Sequence, residues 1–95
     1  MDYLEKVGFL ENDIKHLNEN IPPLIHKSLV LQSKLVLVNI QYLKSQGIEN
    51  YKDLFKRFYE VFLMDYTDFK NIFEKYDRDE LIEFLKNDIN LLEFL

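Results

Sequence analysis

The sequence predicts an all-α fold, a small bundle or short solenoid of about six to seven helices around a buried central helix at residues 29–46. Three observations predict it. Apolar residues recur at spacings of three and four through most of the chain, which places them on one face of a helix. Only two glycines and two prolines interrupt that pattern. The stretch "LVLQSKLVLVNIQYLKSQ" is apolar on more than one side, as a helix surrounded by others is.

The elements follow in order. Leu10, Ile14 and Leu17 make "LENDIKHLNEN" an amphipathic helix, which Pro22 and Pro23 end, because a proline lacks the N–H and its ring clashes with the preceding turn. Proline suits the first turn of a new helix, so "PPLIHK" reads as a short turn, with Ser28 capping the central helix and Gly47 ending it in a left-handed conformation. The β-branched "KLVLVNI" could pair as a strand, but the pattern is too long for one and ends on a glycine. Leu31, Leu35, Val38 and Tyr42 form one stripe of this helix and Leu29, Val36, Ile40 and Leu43 a second. If the first stripe is buried, Leu35→Ala costs about 2–5 kcal/mol.

"NYKDLFKRFYEVFLMD" is the clearest helix, with Leu54, Phe55, Phe58, Val61 and Phe62 on one face and Asn50 as its cap. "TDFKNIFEKY" follows with Thr67 as cap and Phe69, Ile72, Phe73 and Tyr76 inward. "DRDELIEFLKN" starts on Asp77 and Glu80 in capping-box spacing, with Leu81, Ile82, Phe84 and Leu85 inward. The terminal "INLLEFL" is apolar enough to dock onto the core.

At 95 residues, 1–95 form one domain, since a second core would bury too little apolar surface. With 47% apolar and 31% charged residues, the composition is that of a folded chain. There is no alanine, and sixteen Leu, eight Ile, eight Phe and six Tyr carry the core, so helices pack through large side chains. The absence of cysteine excludes disulfides and thiolate zinc sites and is compatible with a cytoplasmic location. "MDYLEKVG" lacks the basic and apolar regions of a secretory signal, and the longest apolar run, "LVLV", is far short of the about 20 residues a membrane span needs.

Aligning Pro22 with Tyr59 and Ile89 superposes "PPLI", "YEVF" and "INLL", each preceded by an amphipathic helix. Repeats of this length share a core between neighbours in helical solenoids. "DIKHLNENIPPLI", continued by "KSLVLQSKLVLVNIQYLKSQGI", resembles the mitochondrial transcription termination factor repeat: a helix, a proline, an apolar turn, a second helix and an "L…LG(I/V)"-like ending. "YKDLFKRFYEVFLMDYTDFKNIFEKY" resembles a second unit without its proline. The resemblance implies nucleic-acid binding along a basic concave surface, to which only Lys27, Lys34 and Lys44 of the first unit could contribute.

The net charge of −5 opposes that implication, because nucleic acid and anionic lipid both attract Lys and Arg. The imbalance is local. Residues 1–48 carry five acids and five lysines, whereas residues 49–95 carry twelve acids and seven bases, and no acid lies between Glu19 and Glu49. The expected function is therefore non-enzymatic: a protein-interaction module whose acidic C-terminal half meets a basic protein partner. The candidate contacts are Glu60, Asp65, Asp68, Asp79, Glu80 and Glu83, with Tyr59 and Tyr66 as amphipathic aromatics. The alternatives are a nucleic-acid-binding repeat using Lys27, Lys34 and Lys44 in the acid-free stretch 20–48, or a small acidic inhibitor that blocks another protein's nucleic-acid groove. A homodimer is open to each, since the apolar stripes exceed what one short chain easily covers.

No catalytic constellation is present. His16 and His26 have no nucleophile elbow or orienting partner in the pattern, and a calcium loop needs a glycine where "DRDE" continues with Leu81 and Ile82. Gly8 and Gly47 cannot form a phosphate-binding loop, so no cofactor is expected.

Overall fold

Large apolar side chains at helical spacing fold here into six α-helices and three 3₁₀ turns, with no strand, in a computed structural model that describes residues 1–95. A 3₁₀ turn over Asp2–Val7 leads to α1 (Glu11–Asn20), α2 (Pro23–Leu31), α3 (Ser33–Ser45) and α4 (Tyr51–Phe58). A second 3₁₀ turn (Tyr59–Leu63) precedes α5 (Tyr66–Glu74) and α6 (Arg78–Asn87), and a third (Ile89–Phe94) ends the chain. No helix is long and apolar enough to cross a membrane.

α3 is the hub: it packs against the first and second 3₁₀ turns, α2, α4 and α5. Its buried face is Val36, Asn39, Ile40, Tyr42 and Leu43, the second sequence stripe together with Asn39 and Tyr42. The other stripe is a correction. Leu31 and Val38 are exposed and Leu35 is half-buried, because α3 has neighbours on only part of its circumference. Leu35→Ala is accordingly expected to cost under about 1.5 kcal/mol, measured as the shift of the urea midpoint at unchanged slope.

The single helix expected over 29–46 is bent. Gln32, at φ −105° and ψ 34°, separates α2 from α3. The hydrogen bonds on either side survive, from Gln32 N to Ser28 O and from Val36 N to Gln32 O, so the path is continuous. Helix begins at Pro23, directly after α1, and Ser28 lies inside α2 with its hydroxyl bonded to Leu24 O rather than capping. The Gly47 expectation holds. At φ 82° it lets Gly47 N reach Lys44 O and Ile48 N reach Leu43 O, the paired bonds of a Schellman end sealed by buried Ile48.

The caps divide into those expected and those displaced. Asp77 accepts from Glu80 N as its spacing predicts. At α5 the cap is Asp65, accepting from Thr67 N, and not Thr67. Asn50 makes no cap bond; its side-chain amide donates to Leu85 O, so it ties the start of α4 to α6. α4 also stops at Phe58 and tightens into the 3₁₀ turn that carries Val61 and Phe62.

Twenty buried apolar residues form one cluster. An aromatic string runs through it: Phe9 to Phe55 at 5.6 Å between ring centres, Phe55 to Phe62 at 5.0 Å, Phe62 to Phe69 at 5.1 Å and Phe69 to Phe73 at 5.1 Å. Steep interplanar angles at the first two put ring edges against ring faces, the favourable electrostatic arrangement. Two tyrosines fasten the N-terminal turn. Tyr51 donates to Val7 O at 2.6 Å, and Tyr3 donates to Leu29 O at 2.7 Å while burial pushes its pKa up to about 12. The Tyr51 hydroxyl passes over Gly8, where a Cβ would lie 2.8 Å from it and where φ is 93°, so both space and backbone require glycine.

One ion pair links α1 to α4. Lys56 Nζ lies 2.6 Å from Asp13 Oδ1, and Asp13 also accepts from Leu10 N at the start of α1. The Lys56 hydrogen bond, then the Leu10 bond, hold the Asp13 carboxyl below its ordinary range against the opposing effect of desolvation. A depressed carboxyl stabilises the fold above its unfolded value of 3.8, and that contribution is lost as pH falls through the lower folded value. Asp13→Asn should cost about 1 kcal/mol at neutral pH. The gap between variant and parent should close in urea titrations at progressively lower pH below 3.8.

Candidate functional site

The acids predicted to meet a partner lie on the second 3₁₀ turn, at α5 and on α6, and helix-start chemistry places most of them. Asp65 and Asp68 sit at the cap and first turn of α5, and Asp79 and Glu80 in the first turn of α6, where carboxylates are favoured by the free N–H groups and the helix dipole. Glu60 stands on the second 3₁₀ turn and Glu83 further along α6. All six are exposed and none forms an ion pair. The two acids of this region that do are Glu74, 3.4 Å from Lys70, and Glu93, 3.7 Å from Arg57, both too exposed to hold their partners firmly.

The tyrosines part company. Tyr59 is half-buried and lines a 320 Å³ groove with Arg57, Phe58, Glu60, Val61 and Glu93. Tyr66 is engaged within the chain, its ring edge-on to Tyr42 at 6.1 Å with Lys70 Nζ 6.0 Å above it. Burial, then Glu74 and Tyr66, raise the Tyr42 pKa, so this hydroxyl stays protonated.

The sequence pattern missed the aromatic part of the site. Tyr76 and Phe84 were expected inward but are partly exposed, and Phe94 of the supposedly docked terminus is largely exposed while Leu92 alone is buried. With Leu81, Leu95 and Glu80 these three line a cleft of about 360 Å³ between α6 and the third 3₁₀ turn. A signal for Phe84 was available: it stands four residues after Glu80 and three before Asn87, on the polar side of α6.

The lysines of the alternative do not gather. Lys27 is on α2, and Lys34 and Lys44 are ten residues apart on α3, hence about 15 Å along the axis and about 80° around it. Lys44 is moreover turned to the N-terminal turn, 3.5 Å from Val7 O and 5.4 Å from the centre of the Tyr51 ring. Both histidines bond to asparagines: His16 with Asn20, and His26 Nε2 with Asn18 at 2.8 Å. No three His, Asp or Glu residues converge as a metal site would require.

Each of the three joints aligned in the sequence, at Pro22, Tyr59 and Ile89, falls within two residues of the end of an α-helix, respectively α1, α4 and α6. Comparison with protein-family models, with characterised proteins and with solved structures found no match.

Proposed function

We propose that this chain is a non-enzymatic protein-interaction module whose acidic end, formed by α5, α6 and the flanking 3₁₀ turns, receives a partner with a basic surface. One observation carries the proposal. Glu60, Asp65, Asp68, Asp79, Glu80 and Glu83 are exposed without a cation, and Glu80 among them lines a cleft whose aromatic walls are open. Unneutralised carboxylates steer a basic partner, and aromatic side chains in a recess supply the apolar contact that holds it. A cytoplasmic setting and the absence of a cofactor belong to the same proposal. Inhibition of a nucleic-acid-binding protein is the special case in which the partner's basic surface is its groove.

The test is capture from a host extract on the immobilised parent and on the Glu80→Lys, Glu83→Lys variant, followed by mass spectrometry. Basic proteins retained by the parent should be depleted about tenfold on the variant. Equal retention overturns the proposal. Neither duplex nor single-stranded nucleic acid should shift in a gel with micromolar parent chain at about 0.15 M salt. A clear shift would instead favour the termination-factor resemblance and the Lys27, Lys34 and Lys44 surface.

A further inference from the structure

Apart from Leu10 at the start of α1 and Val38 midway along α3, the large apolar side chains left exposed by the fold fall in two places. The first is α2, within the acid-free stretch. Leu24 (81% exposed), Lys27 and Leu31 (74% exposed) follow at spacings of three and four and so share one face of α2, opposite buried Leu29. Lys34, the second residue of α3, follows three residues after Leu31. The second place is the cleft between α6 and the third 3₁₀ turn, with Tyr76 (40% exposed), Phe84 (43%) and Phe94 (77%) on its walls. Glu80 lies within that cleft, and Glu83 shares its side of α6. Arg78 and Lys86 leave α6 about 100° or more from the centre of that face.

The two places are complementary in both respects that matter for association. Each is apolar enough to gain from leaving water, and an isolated exposed Leu or Phe needs no explanation whereas a grouped set does. Each also carries the charge that the other lacks: two lysines and no acid on the α2 side, two unpaired glutamates on the cleft side. A ridge of leucines on a short helix is the shape that an open aromatic cleft of about 360 Å³ accepts.

We infer that a second copy of this chain occupies the cleft, its α2 ridge of Leu24 and Leu31 entering between Tyr76, Phe84 and Phe94 while Lys27 and Lys34 face Glu80 and Glu83. The contact joins two different faces, so every chain carries one of each and can add a neighbour at either. A basic partner at the acidic end competes with this association for the same carboxylates.

Sedimentation of the full chain over roughly 10 to 500 µM at low salt should give an average mass that rises with concentration above the 11.6 kDa monomer. Two charge-reversed variants then identify the faces. Glu80→Lys with Glu83→Lys, and separately Lys27→Glu with Lys34→Glu, should each associate at least about tenfold more weakly, and an equimolar mixture of the two should recover the parental association. Leu24→Ser with Leu31→Ser should also abolish it while leaving the circular dichroism spectrum unchanged, which separates loss of contact from loss of fold. A parent that stays monomeric at the highest concentration overturns the inference, as does a mixture that fails to recover. Association through like faces would leave one charge-reversed variant behaving as the parent does, and overturns it too. A chain that remains monomeric yet loses basic proteins on reversal of Glu80 and Glu83 sinks the self-association alone and leaves the proposed function standing.

Discussion

Phe62→Ala should remove about 3–5 kcal/mol of stability. Phe62 is wholly buried at the middle of the aromatic string, touching Phe55 on one side and Phe69 on the other, and it lies on a 3₁₀ turn that packs against α2, α3 and α4. Truncation removes the ring from a site whose neighbours are themselves rigid rings, so the void cannot close by small side-chain shifts. A chain of this size has a total of about 5–15 kcal/mol, so the variant should be close to its unfolding midpoint in water or well into low urea. Urea denaturation followed by far-ultraviolet circular dichroism reads the loss. A change under about 1 kcal/mol would mean that the string is not the centre of the core.

Asn39→Asp should be comparably damaging at neutral pH. Asn39 is the one wholly buried polar residue, and its side-chain amide nitrogen donates to Phe62 O and Met64 O, both at 2.9 Å, where the second 3₁₀ turn hands over to α5. Its own Oδ1 has no partner, so the residue is retained for its donors. A carboxylate in its place would confront two carbonyl oxygens without a cation, an uncompensated buried charge that costs about 3–5 kcal/mol. The sign of the pH dependence follows. Burial raises the folded pKa of the new carboxyl above its unfolded value of about 3.9, so the folded state binds more protons and the penalty grows as pH rises through that value. The difference from the parent should therefore shrink when unfolding is measured at about pH 4 rather than pH 7. Asn39→Ala should be milder, near 2 kcal/mol, because it orphans two carbonyls but also removes the unpaired Oδ1. A penalty for Asn39→Asp that does not vary with pH would show that the carboxylate has reached solvent.

The sequence by itself determined the features that neighbouring residues settle among themselves. The all-α class follows from side chains repeating at the helical period, the end of α1 from the Pro22 and Pro23 pair, the end of α3 from a left-handed Gly47, and the start of α6 from Asp77 three residues before Glu80. The acidity of the candidate site was equally legible, because exposed charge needs no partner to be counted. The tertiary structure decided which side of each helix has a neighbour. Periodicity sets the angle between two stripes of α3 but not which one meets the core, so Leu35 and Val38 could be placed inward as readily as Val36 and Ile40. For the same reason Tyr76 and Phe84 were assigned to the core when they wall an open cleft. Long-range bonds were invisible for a further reason: Asn50 to Leu85, Asn39 to Met64 and Tyr51 to Val7 each join residues more than twenty positions apart, and a local pattern offers an asparagine or tyrosine no means of naming a distant carbonyl. The bend at Gln32 belongs with these, since residues 29–46 read as one unbroken helix, and only the packing of α3 against the first and second 3₁₀ turns, α4 and α5 turns it away from α2.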